Sequence, residues 1–196
     1  MGLLPSANPV GFTPNREKFM VLMISAWVMV GAIGIVLSWA FGDDIIGDAM
    51  GWVIGGATGG LATGYALTIV NPSIQSKQVV VLTLGWAINL AFFEAIVGAI
   101  GDALSIALSW PLGWATVGAI GGWVTGYALT LEPLHLQKKQ IAVTALGIAL
   151  GWAMGGTIAG AMGDPLSWAI GWSIVGAAQG GILLWCLNPS KFIFNA

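Results

Sequence analysis

The chain has 196 residues, of which 57% are hydrophobic and only 7% charged, and its net charge is −2. Soluble domains carry roughly 25% charged residues, so too little charge is present to coat a water-facing surface. No basic cluster offers contacts to phosphates, which excludes a nucleic-acid partner, and the single cysteine, Cys186, excludes an internal disulfide or a thiolate metal cluster.

Residues 1–18 form a proline-broken tail that does not resemble a secretory n-region. Six apolar segments follow: Phe19–Phe41, Met50–Val70, Val79–Ile100, Pro111–Leu131, Ile141–Met162 and Pro165–Leu187. Each approaches the length of about 20 residues that crosses a hydrocarbon core of about 30 Å. Lipid offers no partner to backbone N–H and C=O groups, so all six are predicted to be helices and the fold class is an all-α integral membrane protein. Arg16, Lys18, Lys77, Lys138, Lys139 and Lys191 fall on the side of the amino terminus, while Asp43, Asp44, Asp48, Asp102 and Asp164 fall on the other. Positive charge in short loops marks the cytoplasmic side, so both termini are expected there. The connection 101–111, GDALSIALSWP, is too apolar for an aqueous loop and is expected to lie as a short interfacial helix.

The spans repeat in pairs. Gly42-Asp43, Gly101-Asp102 and Gly163-Asp164 end the odd spans; Gly51-Trp52, Gly113-Trp114 and Gly171-Trp172 begin the body of the even ones; Pro72, Pro133 and Pro189 stop them. Trp27 and Trp86 each lie fifteen residues before their Gly-Asp pair. The unit is a two-helix hairpin present three times, over residues 19–72, 77–133 and 138–189, with a tail at 190–196. An even number of spans per unit puts all three copies in the membrane in the same orientation. Parallel repeats argue against the inverted-repeat transporter folds.

Glycine and tryptophan are the unusual letters, with 30 and 11 copies. In the even spans Gly56, Gly118 and Gly176 align, followed by Gly60, Gly122 and Gly180, then Gly64, Gly126 and Leu184. Span five carries Gly147, Gly151 and Gly155. A glycine every fourth residue makes a smooth strip on which a second helix can approach closely, a glycine-zipper arrangement. Trp39, Trp52, Trp110, Trp114, Trp168 and Trp172 flank the acidic loops and are expected in an interfacial aromatic belt. Trp27, Trp86, Trp123 and Trp152 lie deeper and are expected opposite glycine strips.

Few polar residues enter the spans. Glu94 is the sole ionisable one, about 9 Å from the outer helix end at 1.5 Å per residue. An intramembrane acid is a candidate site for a proton, a cation, a chlorophyll magnesium or a partner subunit, and the structural reading is a hydrogen-bonded, protonated or snorkelling acid. Its counterparts are Ile35 and Gly156, so no carboxylate ring is expected. Asn89 and Gln179 are expected to bridge helices as amides. His135, in a cytoplasmic loop, is a candidate pigment ligand or titrating group without a second ligand spaced to help it. No nucleophile–base pair, phosphate loop or nucleotide fingerprint is present, and no enzymatic activity is expected.

The runs GWVIGGATGG, LGWAIN, GWATVGAIGGW and LGIALGWAMGG resemble Gly/Trp-rich multi-pass membrane segments of cyanobacterial proteins, mostly of unassigned function. The resemblance implies a bacterial inner-membrane or thylakoid address and transfers no site residues. The expected role is a non-catalytic accessory, scaffold or assembly subunit that meets membrane lipids and other subunits, or copies of itself, through glycine-lined faces. The alternatives are a small channel or transporter using Glu94 with Thr63, Thr125 and Thr157, or a protein that binds chlorophyll, carotenoid or lipid.

Overall fold

The computed structural model describes residues 16–41, 45–92, 106–131, 136–162 and 164–187, and every regular element among them is an α-helix. Six helices follow in order: α1 (Arg16–Phe41), α2 (Ile45–Val70), α3 (Ser76–Ala91), α4 (Ile106–Ala128), α5 (Lys138–Met162) and α6 (Pro165–Leu187). Four of them, α1, α2, α5 and α6, are long and apolar enough to cross a membrane. α3 is described over 16 residues, and in α4 tryptophan, glycine and threonine dilute the aliphatic content.

The helices begin earlier than the apolar runs that predict them. α2 starts at Ile45 rather than Met50, and α4 at Ile106 rather than Pro111. Residues 106–111, expected to belong to a separate interfacial helix, are therefore the opening turns of α4, which runs through Pro111 without interruption. As the sixth residue of the helix, Pro111 lies past the four N–H groups that lack partners and removes one backbone hydrogen bond.

Each helix packs on its neighbours in the chain, and α6 packs back on α1, so the six form a closed ring. Short connections enforce this order. Between α2 and α3, the Asn71 side-chain Oδ1 accepts from the Ser73 N–H at 3.0 Å and the Asn71 carbonyl from the Ile74 N–H at 3.1 Å, reversing the chain within five residues. At the start of α6, Asp164 Oδ1 accepts from the N–H groups of Leu166 (2.8 Å) and Ser167 (3.0 Å), with Pro165 at the first helical position.

The distribution of residues inverts that of a water-soluble bundle. Large aliphatic side chains such as Val21, Met29, Leu84, Leu146, Leu150 and Met154 face outward, exposed along the ring. The interior holds tryptophans and small residues together with a few larger side chains such as Phe19, Met23, Leu82 and Ile148. An outer wall of this kind satisfies its surroundings only in hydrocarbon, because in water so much contiguous apolar surface would aggregate.

Candidate functional site: a tryptophan core between glycine seams

Every helix contributes one tryptophan to the ring's interior. Trp27 of α1, Trp86 of α3 and Trp152 of α5 have ring centroids 4.8, 5.2 and 5.3 Å apart, a closed triangle. Trp52 of α2, Trp114 of α4 and Trp172 of α6 form a second triangle with sides of 5.8, 6.1 and 6.2 Å. The two layers touch through Trp152–Trp172 at 5.3 Å and Trp114–Trp152 at 5.7 Å. Alternate helices supply each triangle, so both lie across the axis of the ring and fill it. Many of the pairs are edge-to-face or tilted, the arrangements that the ring quadrupole favours, each contributing about 0.5–1.5 kcal/mol beyond burial.

Half of the expected aromatic belt is therefore not at the interface. Trp52, Trp114 and Trp172 are 5%, 1% and 3% exposed. Because α2 and α4 start before their Gly-Trp pairs, Trp52 and Trp114 stand two turns inside a helix and point inward. Trp110 and Trp168 remain nearer the helix starts: Trp110 is exposed and Trp168 half-buried, each ring lying over the inward tryptophan one turn on. The side chain of Trp39 lies outside the described residues. Trp123, expected deep, is instead 57% exposed and stacks on Tyr127 at 5.8 Å on the outer wall.

The glycines sit where tryptophans or backbones need room. A Cβ on Gly60 would stand 2.7 Å from the Cα of Thr83, and one on Gly56 would meet the Trp86 carbonyl. Gly64 is held against Val79 in the same way, so the strip of α2 lies on α3. Gly118, Gly122 and Gly126 of α4 lie on Trp152 and Ala149, on Ala145, and on Ile141 of α5. Gly176 and Gly180 of α6 lie on Met23, Ile24 and Met20 of α1. On α5, Gly147, Gly151 and Gly155 face Ile182, Ala178 and the Gly171 carbonyl of α6. The tryptophans occupy other glycine gaps: Trp27 at Gly59, Trp86 at Gly121, Trp114 at Gly156, Trp172 at Gly31. All these strips are turned onto helices of the same chain.

Polar contacts tie the seams. Asn89 donates from Nδ2 to the Val117 carbonyl at 2.9 Å, a bridge from α3 to α4. Trp86 Nε1 donates to Thr125 Oγ1 at 3.1 Å, and Thr125 donates to the Gly121 carbonyl at 2.8 Å. Gln179, expected to bridge helices, does not: it is fully buried and neither amide atom has a partner among the described residues. The same holds for Thr63 Oγ1, Asn89 Oδ1 and the indole nitrogens of Trp27, Trp152 and Trp172. Thr157 bonds back to the Ala153 carbonyl on its own helix. Cys186 is buried, with Sγ 3.0 Å from Thr144 Oγ1. Glu94 and His135 lie outside the described residues.

Two glutamine clamps went unnoticed in the sequence. Gln78 Oε1 accepts from the Gln75 N–H at 2.8 Å, capping α3, while its Nε2 donates to the carbonyls of Leu131 (3.2 Å) and Ala128 (3.3 Å) at the end of α4. Gln140 repeats this: Oε1 accepts from the Gln137 N–H at 2.8 Å, and Nε2 reaches the Cys186 carbonyl of α6 at 3.4 Å. One side chain thus satisfies an orphan donor at a helix start and orphan carbonyls at the end of the next helix. The signal was the pattern Gln-x-Lys-Gln, present as Gln75–Gln78 and Gln137–Gln140.

On the outer wall a groove of about 320 Å³ runs between α1 and α6, lined by Val28, Ala32, Ile35, Val36, Pro165, Trp168, Ala169 and Trp172. Asp164 lies just outside that end of α6; the Ser167 N–H, helped by the Ser167 hydroxyl and the Leu166 N–H, holds its carboxyl below the ordinary value of 3.8. Among the described residues no group of three or more His, Cys, Asp or Glu could hold a metal ion. The chain matches no protein-family model, no curated protein and no solved structure.

Proposed function

We propose that this chain is a non-catalytic accessory or scaffold protein of a bacterial inner or thylakoid membrane, built as three parallel copies of one hairpin with both termini cytoplasmic. One observation carries the reading: tryptophans from all six helices fill the axis and the glycine strips are spent on internal seams. A bundle closed in this way works through its lipid-facing wall. Two triangles drawn from alternate helices support the threefold repeat, as do the paired glutamine clamps 62 residues apart at Gln78 and Gln140. The filled axis weighs against conduction through the centre of the ring. A photosynthetic address rests on the Gly/Trp-rich texture of the sequence alone.

Purification from the native membrane in mild detergent tests this. Stoichiometric co-migration with a larger membrane complex is expected, with photocrosslinks to that complex from outward positions such as Leu84 or Leu146. A lone particle without partner, together with ion flux in liposomes that Glu94→Gln abolishes, refutes it. The groove between α1 and α6 favours a second reading, binding of a lipid chain or a carotenoid, for which a co-purifying lipid or a visible absorption band is the test.

A further inference from the structure

We infer that the centre of the bundle is a water-binding site organised by Gln179, Thr63 and the indole N–H groups of Trp27 and Trp152. The inference is independent of the accessory role. Gln179 is 0% exposed with both amide atoms unpartnered among the described residues. A primary amide left so in an apolar interior is strongly disfavoured, so a partner is required.

The second hairpin shows what the first lacks. There Trp86 Nε1 donates to Thr125 Oγ1 at 3.1 Å, and Thr125 to the Gly121 carbonyl. Trp27 and Thr63 hold the same positions in the first hairpin, Trp27 fifteen residues before its Gly-Asp pair and Thr63 seven after its strip glycine. Both are fully buried, yet the indole N–H and the hydroxyl find no partner. A buried donor and a buried acceptor that do not meet are satisfied together by a small molecule able both to accept and to donate.

Gln179 stands at the depth of these groups. It occupies in α6 the place that Gly59 and Gly121 hold in α2 and α4, and Gly59 borders the Trp27 ring, at 3.1 Å from a Cβ built on it. Its neighbour Gly180 lies against Met20 and Met23 of α1, one turn from Trp27. The Trp152 ring is 5.3 Å from that of Trp27. The unpartnered donors of these four residues are two indole N–H groups and an amide NH₂; the unpartnered acceptors are an amide oxygen and a hydroxyl. A cation would be repelled by the N–H groups and an anion by the oxygens. Water, with two donors and two acceptors, suits the mixed set, and buried water typically makes about three such bonds. Bound in this way, Gln179 fixes the rotation of α6, which is apolar all round and carries no other deep polar anchor.

The test is magnetisation transfer from water to the indole protons of ¹⁵N-tryptophan protein in lipid nanodiscs, assigned with single Trp→Phe variants. Transfer is expected at Trp27 and Trp152 and not at Trp86, whose N–H is already bonded to Thr125. Gln179→Leu is expected to reduce the Trp27 transfer at least several-fold and to lower the thermal midpoint. If that variant does not fold, Thr63→Val is expected to reduce the Trp27 transfer while Thr63→Ser retains it. No transfer at Trp27 and Trp152 in the unmodified protein overturns the inference, as does a Trp27 proton shift matching that of Trp86, which indicates a direct bond to Thr63. A Gln179→Leu protein that melts higher with unchanged transfer overturns it too.

Discussion

Replacing Gly60 by alanine adds one methyl group at the tightest kind of contact in the ring. The new Cβ would stand 2.7 Å from the Cα of Thr83 and nearer still to the Leu82 carbonyl, where ordinary contact begins at 3.4 Å. Neither neighbour is the end of a flexible side chain, so α2 and α3 must part by about 0.7 Å or more along the strip. Overpacking of this sort costs about 1–3 kcal/mol, and the better helix propensity of alanine returns at most about 1 kcal/mol. Gly181 is the matched control, because an added Cβ there meets nothing within 4 Å. Gly181→Ala is expected to be neutral or stabilising by up to about 1 kcal/mol. Gly180→Ala falls between, since the nearest atom is the Met20 thioether at 2.9 Å, which can swing aside. Unfolding by SDS in mixed micelles, followed by tryptophan emission, ranks the three. Equal midpoints for Gly60→Ala and Gly181→Ala would refute the claim that backbone proximity, rather than flexibility, explains the glycines.

Thr125→Val removes the acceptor of the Trp86 indole, and the same assay is expected to show a loss of about 0.6–2 kcal/mol, the range for polar bridges inside membranes. Thr125→Ser is expected to retain most of it. Gln78→Met keeps the volume but removes the helix cap and the tie to α4, with an expected loss of about 0.5–2 kcal/mol and faster amide exchange at the start of α3. Asp164 has a lowered pKa when folded, so its contribution is present above the ordinary value of 3.8 and disappears as pH falls through the folded value. Asp164→Asn keeps a capping side chain without the charge. Its midpoint is expected to lie below that of the unmodified chain at neutral pH and to converge with it in acid.

The helices were legible because six long apolar runs leave few alternatives. What hydropathy could not give was rotation. A helix such as α6, apolar on every side, has no moment to say which face is inward. That is why Trp114 was read as interfacial from its place beside an acidic loop, when α4 in fact begins eight residues earlier. Aligning the second and fourth spans on their glycines gives a better clue: Trp123 falls on Leu61, and both are exposed, whereas Trp114 falls on Trp52, and both are buried. The glutamine clamps were missed because a glutamine beside lysines reads as loop, and its reach to the far end of another helix depends on the ring closing.

The two tryptophan triangles also give the protein an optical identity. Six indoles with neighbours 4.8–6.2 Å away are close enough for their transition dipoles to couple. Excitation absorbed by one ring spreads over the others before emission, so the emitted light loses the memory of its polarisation. The coupled transitions also give an exciton couplet in circular dichroism, set by the handedness with which one triangle is turned on the other. Loosening any one seam changes that geometry, so the folded ring carries its own reporter and needs no added label.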